Sequence, residues 1–207
     1  MAGAPFTHID WQPLLAPLAH NGWVIAPGVL SPTKVQQLRQ RLQQLQHAQV
    51  LRPAAIGKGA QQQHNQQIRS DSTHWLSADD PVENTFLALL ESLMRAANRQ
   101  LFLGLRRFEA HFAHYAPGAC YQTHVDAFHG SRTRVLSAVC YLNDDWPATA
   151  GGELVIYGQD SHNELARVQP QGGTLVLFLS EEIPHQVLPA NRDRYSIAAW
   201  LRVDDPL

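Results

Sequence analysis

The chain is poor in cysteine, in long apolar runs and in net charge, and each shortage excludes a class of protein. Its two cysteines, Cys120 and Cys140, sit in no paired-cysteine metal motif and are too few for a disulfide framework. Both are expected to be reduced core residues. No apolar stretch approaches the roughly 18 residues that a membrane span needs. The opening residues, MAGAPFTHIDW, lack the basic and apolar regions of a secretory signal. The expectation is a soluble, cytoplasmic protein with no membrane partner. A formal net charge of −2 supplies no general basic field for a phosphate backbone, which argues against nucleic acid as a partner. Apolar residues make up 44% and charged residues 16%, so the chain should fold rather than remain disordered. At 207 residues it is most simply one structural domain.

Within that domain the pattern changes along the chain. Residues 1–104 read mostly as helix, a support region. SPTKVQQLRQRLQQLQ opens with Ser31 as N-cap and Pro32 at the first helical position, and Val35, Leu38, Leu42 and Leu45 form one stripe. DDPVENTFLALLESLMRAANRQLF repeats the plan from Asp80 and Pro81, with Phe86, Leu89, Leu90, Leu93 and Ala97 on one face. Between them lies a glycine- and glutamine-rich tract. Residues 105–207 read as short strands separated by Gly, Pro and Asn/Asp turns: RRFEAHFAHY, VLSAVCYLN, GELVIY, GTLVLFL and RYSIAAWLRV. Helices followed by strands predict an α+β fold, with helices packed on a β-sandwich or barrel.

Histidine is abundant, at eleven residues, so a histidine near an acid is weak evidence by itself. The stretch THVDAFHG is more specific. On a strand, His124 and Asp126 project from the same face, about 6–7 Å apart along the backbone. His129 lies past a turn and is not expected to share that face. A facial triad needs one more histidine and open positions on the metal. His185, in EEIPHQVLP, follows the apolar run GTLVLFL and its turn and is the candidate third ligand. His8-Ile9-Asp10 repeats the spacing but lies in no strand-like context and is read as surface. In RYSIAAW, alternation puts Arg194, Ser196, Ala198 and Trp200 on one face. That face suits a cavity lining with a cation at one end, and a buried guanidinium fork there calls for a carboxylate. His111 and His114 fall on opposite faces of one strand and are read as ordinary core or surface residues.

AHYAPGACYQTHVD, SAVCYLNDDWPATAGGELVIY and PHQVLPANRDRYSIAAWLR together resemble the 2-oxoglutarate- and iron(II)-dependent dioxygenases. The similarity is to the prolyl 4-hydroxylases, in the branch of the hypoxia-inducible-factor prolyl hydroxylases and their bacterial relatives. IRSDSTHW resembles a substrate-loop segment of that branch, and the resemblance runs from about Ile68 to Val203. It implies a double-stranded β-helix (jelly-roll) core with N-terminal helices packed on one sheet. It implies that His124, Asp126 and His185 hold iron(II) and carry catalysis. Arg194, Tyr141, Tyr115 and Trp200 would line the site of the 2-oxoglutarate cosubstrate, with Arg194 on its far carboxylate. Arg134, Asp71 and Trp75 would lie near the substrate mouth. The implied activity hydroxylates a proline of an intracellular protein with O2 and releases succinate and CO2; L-ascorbate is a candidate accessory cofactor and elongation factor Tu a candidate substrate. A carboxylate at Asp126 argues for hydroxylation, because halogenases of the superfamily need that position small.

Three further readings accompany these. The alternatives in function are hydroxylation of a free amino acid or other small molecule, and a non-catalytic binding or sensor module. Residues 57–75 are expected to form a mobile flap, closed by an Asp71–Arg134 pair. Arg134 and Tyr141 are an odd number apart, so strict alternation separates their faces unless a bulge intervenes or Arg134 precedes the strand.

Overall fold

The computed structural model describes residues 9–54, 65, 67–127 and 133–204. The first part of the chain forms helix α1 (Gln12–Asn21), strand β1 (Trp23–Ala26), helix α2 (Pro32–His47), strands β2 (Arg52–Pro53) and β3 (Ser72–Trp75), and helix α3 (Pro81–Leu101). The strands that follow are β4 (Arg107–Tyr115), β5 (Tyr121–His124), β6 (Arg134–Tyr141), β7 (Leu154–Tyr157) and β8 (Glu164–Val168). The chain closes with β9 (Leu175–Leu179), β10 (His185–Val187) and β11 (Arg194–Arg202). A major sheet has the order β1-β9-β6-β11-β4-β3-β2 and a minor sheet the order β5-β10-β7-β8.

Both helices read from sequence start as their caps dictate. The Ser31 hydroxyl accepts from the Lys34 amide at 3.4 Å, and the Asp80 carboxylate accepts from the amides of Val82 and Glu83 at 2.9 and 3.1 Å. Their expected stripes are the buried faces. These faces cover the outer side of the major sheet, meeting Phe112 of β4, Leu177 of β9 and Ile197, Ala199 and Leu201 of β11 in one core cluster. A second cluster lies between the sheets, where Tyr115, Tyr141 and Phe178 meet Leu154, Ile156 and Val187. This is the jelly-roll arrangement, one sheet backed by helices and one facing the other across a cavity. Among the described residues no helix is long and apolar enough to cross a membrane. Both cysteines are free thiols; Cys140 is buried as expected, but Cys120 is only partly buried and is not a core residue.

The structure corrects the expectation for the first hundred residues. They also contain strands, and β1, β2 and β3 all join the major sheet. Residues 57–64 of the expected flap, with residue 66, lie outside the described residues. Residues 72–75 are β3, paired with β4 from Ser72↔His114 to Trp75↔His111, so the latter part of the segment is sheet rather than loop. Asp71 does not pair with Arg134. Its carboxylate accepts from Arg69 Nε at 2.7 Å and Nη2 at 2.9 Å, while Arg134 donates twice to Glu109, at 3.0 and 2.7 Å. Of the two alternatives for Arg134, the strand includes it and a bulge intervenes. Leu201 faces Leu136 and Arg202 faces Arg134, which leaves Val135 as an extra residue and returns Arg134 to the cavity face.

Candidate metal centre and active site

His124 ends β5 and His185 opens β10, and the antiparallel register sets them directly opposite each other. Their rings lie 4.3 Å apart between centroids. Asp126 follows β5 in a turn pinned by Ser180, whose carbonyl accepts from the amides of Asp126 and Ala127. The turn brings its carboxylate to 3.5 Å from His124 Nε2 and 3.9 Å from His185 Nε2. One ligating atom from each of the three lies within 4.8 Å of the others, the only such group of three or more among the described residues. His129 and His8 are outside the described residues. Asp10, from the decoy pair, accepts from the Gln12 amide at 3.0 Å, a local turn contact.

The hydrogen bonds around the triad prepare it for a cation. His124 Nδ1 lies 2.8 Å from the Gln122 carbonyl and His185 Nδ1 lies 3.0 Å from that of Ile183. A carbonyl only accepts, so each Nδ1 carries the proton and each Nε2 offers a lone pair toward Asp126. Burial pushes His185 down to about 4, so the ring is neutral near pH 7. Burial alone would raise Asp126, but His185, His124 and the hydroxyl of Ser137 hold it well below the ordinary carboxylate range. Ser137 donates to Asp126 at 2.7 Å and lies 2.8 Å from the Ser180 hydroxyl. Two imidazoles and one carboxylate on one side of an open cavity match a facial-triad iron(II) site.

At the other end of the cavity sits Arg194, only 1% exposed. Its Nε donates to the Gly152 carbonyl at 2.8 Å and its Nη1 to the Ser196 hydroxyl at 3.3 Å, while Nη2 has no hydrogen-bond partner among the described residues. The Tyr141 hydroxyl, also buried, has none either. The guanidinium carbon lies 5.0 and 5.1 Å from the ring centroids of Tyr115 and Tyr141. Burial pushes Tyr141 up to about 12 and raises Tyr115 further, so both keep their hydroxyl protons. An unmatched guanidinium nitrogen and an unmatched phenol are costly inside a protein unless an acceptor fills the space. A ligand carboxylate would satisfy both. The backbone is shaped to allow this approach: Gly152 has φ +75°, and a Cβ there would stand 3.3 Å from Arg194 Cδ and 2.9 Å from the Ala190 Cβ.

Trp200 and Trp75 are neighbours, with ring centroids 6.5 Å apart. Trp200 lines the cavity with Arg134 stacked 3.8 Å over its ring, and its buried Nε1–H has no partner among the described residues. Trp75 is 54% exposed, edge-on to His111 at 5.2 Å, so it does not plug the core. Asp71 is buried and serves Arg69 rather than the cavity surface.

Sequence reasoning passed over four polar or aromatic lining residues. His111 shares the inward face of β4 with Ala113 and Tyr115, and burial pushes it down to about 4. Ser137 shares the inward face of β6 with Tyr141, so the period-2 rule from a chosen neighbour would have found both. Tyr121, inside the motif AHYAPGACYQTHVD, stacks on His124. Arg69 also lines the cavity, but nothing local in the sequence predicts the strand edge it meets.

Comparison with known proteins agrees with this geometry. Residues 110–202 match the family model of the 2OG-Fe(II) oxygenase superfamily. Human Egl nine homolog 1 is 31% identical over 140 residues, 64% of this chain, and the chain spans only 33% of that protein's length. The PKHD-type hydroxylase YbiX of Escherichia coli is 31% identical over 186 residues, 85% of this chain and 76% of that protein. A prolyl-4-hydroxylase from Pseudomonas putida superposes with a TM-score of 0.83 at 37% identity, covering 93% of this chain and 98% of that one.

Proposed function

The chain belongs to the 2OG-Fe(II) oxygenase superfamily, and on that premise we propose that it is a peptidyl-prolyl 4-hydroxylase. It would act with iron(II), 2-oxoglutarate and O2, with L-ascorbate as an accessory, on a proline of an intracellular protein. The observation that carries this reading is the cavity with two matched ends: a His124–Asp126–His185 cluster at one, and the buried, unmatched Arg194 Nη2 and Tyr141 hydroxyl at the other. That pairing fits a dicarboxylic keto acid held between a metal and a guanidinium. A binding module for a neutral ligand has no use for it.

Each residue then has a task. His124 and His185 would hold the iron through Nε2 and Asp126 through a carboxylate oxygen, a three-ligand set of the kind that leaves room for a cosubstrate and O2. Ser137 holds the second Asp126 oxygen and fixes its rotation. Arg194 anchors the far carboxylate, Tyr141 donates beside it, and Tyr115 closes the wall. When bound, iron(II) with 2-oxoglutarate and O2 supplies an oxidative decarboxylation to succinate and CO2 that inserts one oxygen atom into a C–H bond. Trp200, Trp75 and Arg134 frame the mouth through which a proline ring would enter. The Pseudomonas putida relative is a prolyl-4-hydroxylase, which supports proline over other targets.

The test is product stoichiometry with proline-containing peptides, elongation factor Tu fragments among them. One succinate released per hydroxyproline formed is the expected result. Hydroxylation of free amino acids alone would redirect the reading to small molecules.

A further inference from the structure

The strand that carries His124 has little support from its own sheet. β5 is an edge strand, and it pairs with β10 only at His124↔His185 and Tyr121↔Val187, with a register break between. Its other edge is met by residues 68–70. The Ser70 amide donates to the Cys120 carbonyl at 3.1 Å, and the Gln122 amide donates to the Ile68 carbonyl at 2.9 Å. Side chains continue the link. The Tyr121 ring lies on the His124 imidazole, with centroids 3.5 Å apart and planes 16° from parallel. The Arg69 guanidinium carbon lies 4.7 Å from the centroid of the same Tyr121 ring. Asp71, 2% exposed, grips Arg69 through both carboxylate oxygens. An arginine bonded in this bidentate way by a buried carboxylate is a fixed post rather than a wandering charge.

We propose that Tyr121 and Arg69 are positioning residues for His124, so that divalent-metal binding at the triad and ordering of residues 67–71 are one coupled equilibrium. The proposal rests on the reading of His124, Asp126 and His185 as the metal site. The Gln122 carbonyl sets the tautomer of His124 but leaves the ring free to tilt. The Tyr121 face removes that freedom. Partners of this kind, which touch a ligand and not the metal, set metal affinity by about 10–100-fold. Coupling is reciprocal, so affinity that the segment lends to the metal returns as protection of the segment. The same segment continues into β3 and Trp75, which ties the mouth of the cavity to a metal ligand.

Cobalt(II), followed by its visible absorption, is the probe, so the readout does not depend on turnover. Tyr121→Leu should weaken cobalt affinity by about tenfold or more. Tyr121→Phe should restore most of it, because the ring face remains, and Arg69→Met should weaken it with the ligands intact. In the unaltered protein, hydrogen exchange at the Ser70 and Gln122 amides should slow when cobalt is added, a measurement that no variant's folding can confound. Unchanged cobalt affinity in a folded Tyr121→Leu protein, or exchange at those amides that ignores cobalt, overturns the proposal. Cobalt binding that survives His124→Ala combined with Asp126→Ala is a different result and overturns the metal-site reading itself.

Discussion

Arg194 and Gly152 show how single residues set the end of the cavity that the proposed function gives to the cosubstrate. Arg194 is held by the Gly152 carbonyl and Ser196, leaving Nη2 for a ligand. A charge-assisted hydrogen bond in a poorly hydrated site is worth about 1.5–3 kcal/mol. Arg194→Ala should therefore weaken 2-oxoglutarate binding at least about tenfold, while metal affinity changes little. Calorimetric titration of each ligand separates the two, and equal losses of both would mean that the fold has collapsed. Gly152→Ala is the complementary change. Its Cβ would press on Ala190 and Arg194 from a left-handed backbone. Overpacking of this kind costs about 1–3 kcal/mol, so denaturant unfolding should show that loss and 2-oxoglutarate affinity should fall with it.

At the scale of elements, β4, β6 and β11 are tied together by charge beside Trp200. Glu109 on β4 accepts from Arg134 on β6 and from Arg202 on β11. Burial alone would raise its carboxyl, but the two guanidinium groups hold it below the ordinary carboxylate range. A depressed native value adds stability above the unfolded carboxylate's range, and that stability is lost as pH falls through the native value. Glu109→Gln should thus flatten the acid limb of the stability curve, measured by urea unfolding from neutral pH downward. An unchanged acid limb would show that the pairs add nothing. Trp75 makes the opposite case. At 54% exposed it should cost no more than about 0.5 kcal/mol on replacement by Ala, yet Trp75→Ala should raise the KM for a peptide substrate. A large drop in Tm with the KM unchanged would place Trp75 in the fold rather than the mouth.

The elements also show what a sequence can reveal. Helices α2 and α3 announce themselves because a cap, a proline and an apolar stripe agree. Helix α1 does not, since Pro17 interrupts a short pattern, and four-residue β1 has too little alternation to read. The triad and Arg194 are legible because a period of two constrains same-face pairs and because family motifs surround them. The partner of Asp71 is not legible. Arg69 and Arg134 are both cations within its possible reach, and only the meeting of residues 68–70 with the edge of β5 decides between them. Such long-range strand-edge contacts leave no local periodicity.

Taken whole, the molecule places the two ends of its chemistry on different sheets. His124 and His185 belong to the minor sheet, while Arg194, Tyr141 and Tyr115 belong to the major one. The cavity exists only when the sheets pack, so cosubstrate and metal should each raise the Tm by mass action. The most direct measurement of the proposed function is mass spectrometry of a proline-containing peptide after reaction with iron(II), 2-oxoglutarate and ¹⁸O-labelled O2. The expected result is a gain of one labelled oxygen on a proline, matched by succinate and absent from Asp126→Ala. Full-rate consumption of 2-oxoglutarate with every proline peptide left unmodified would contradict it.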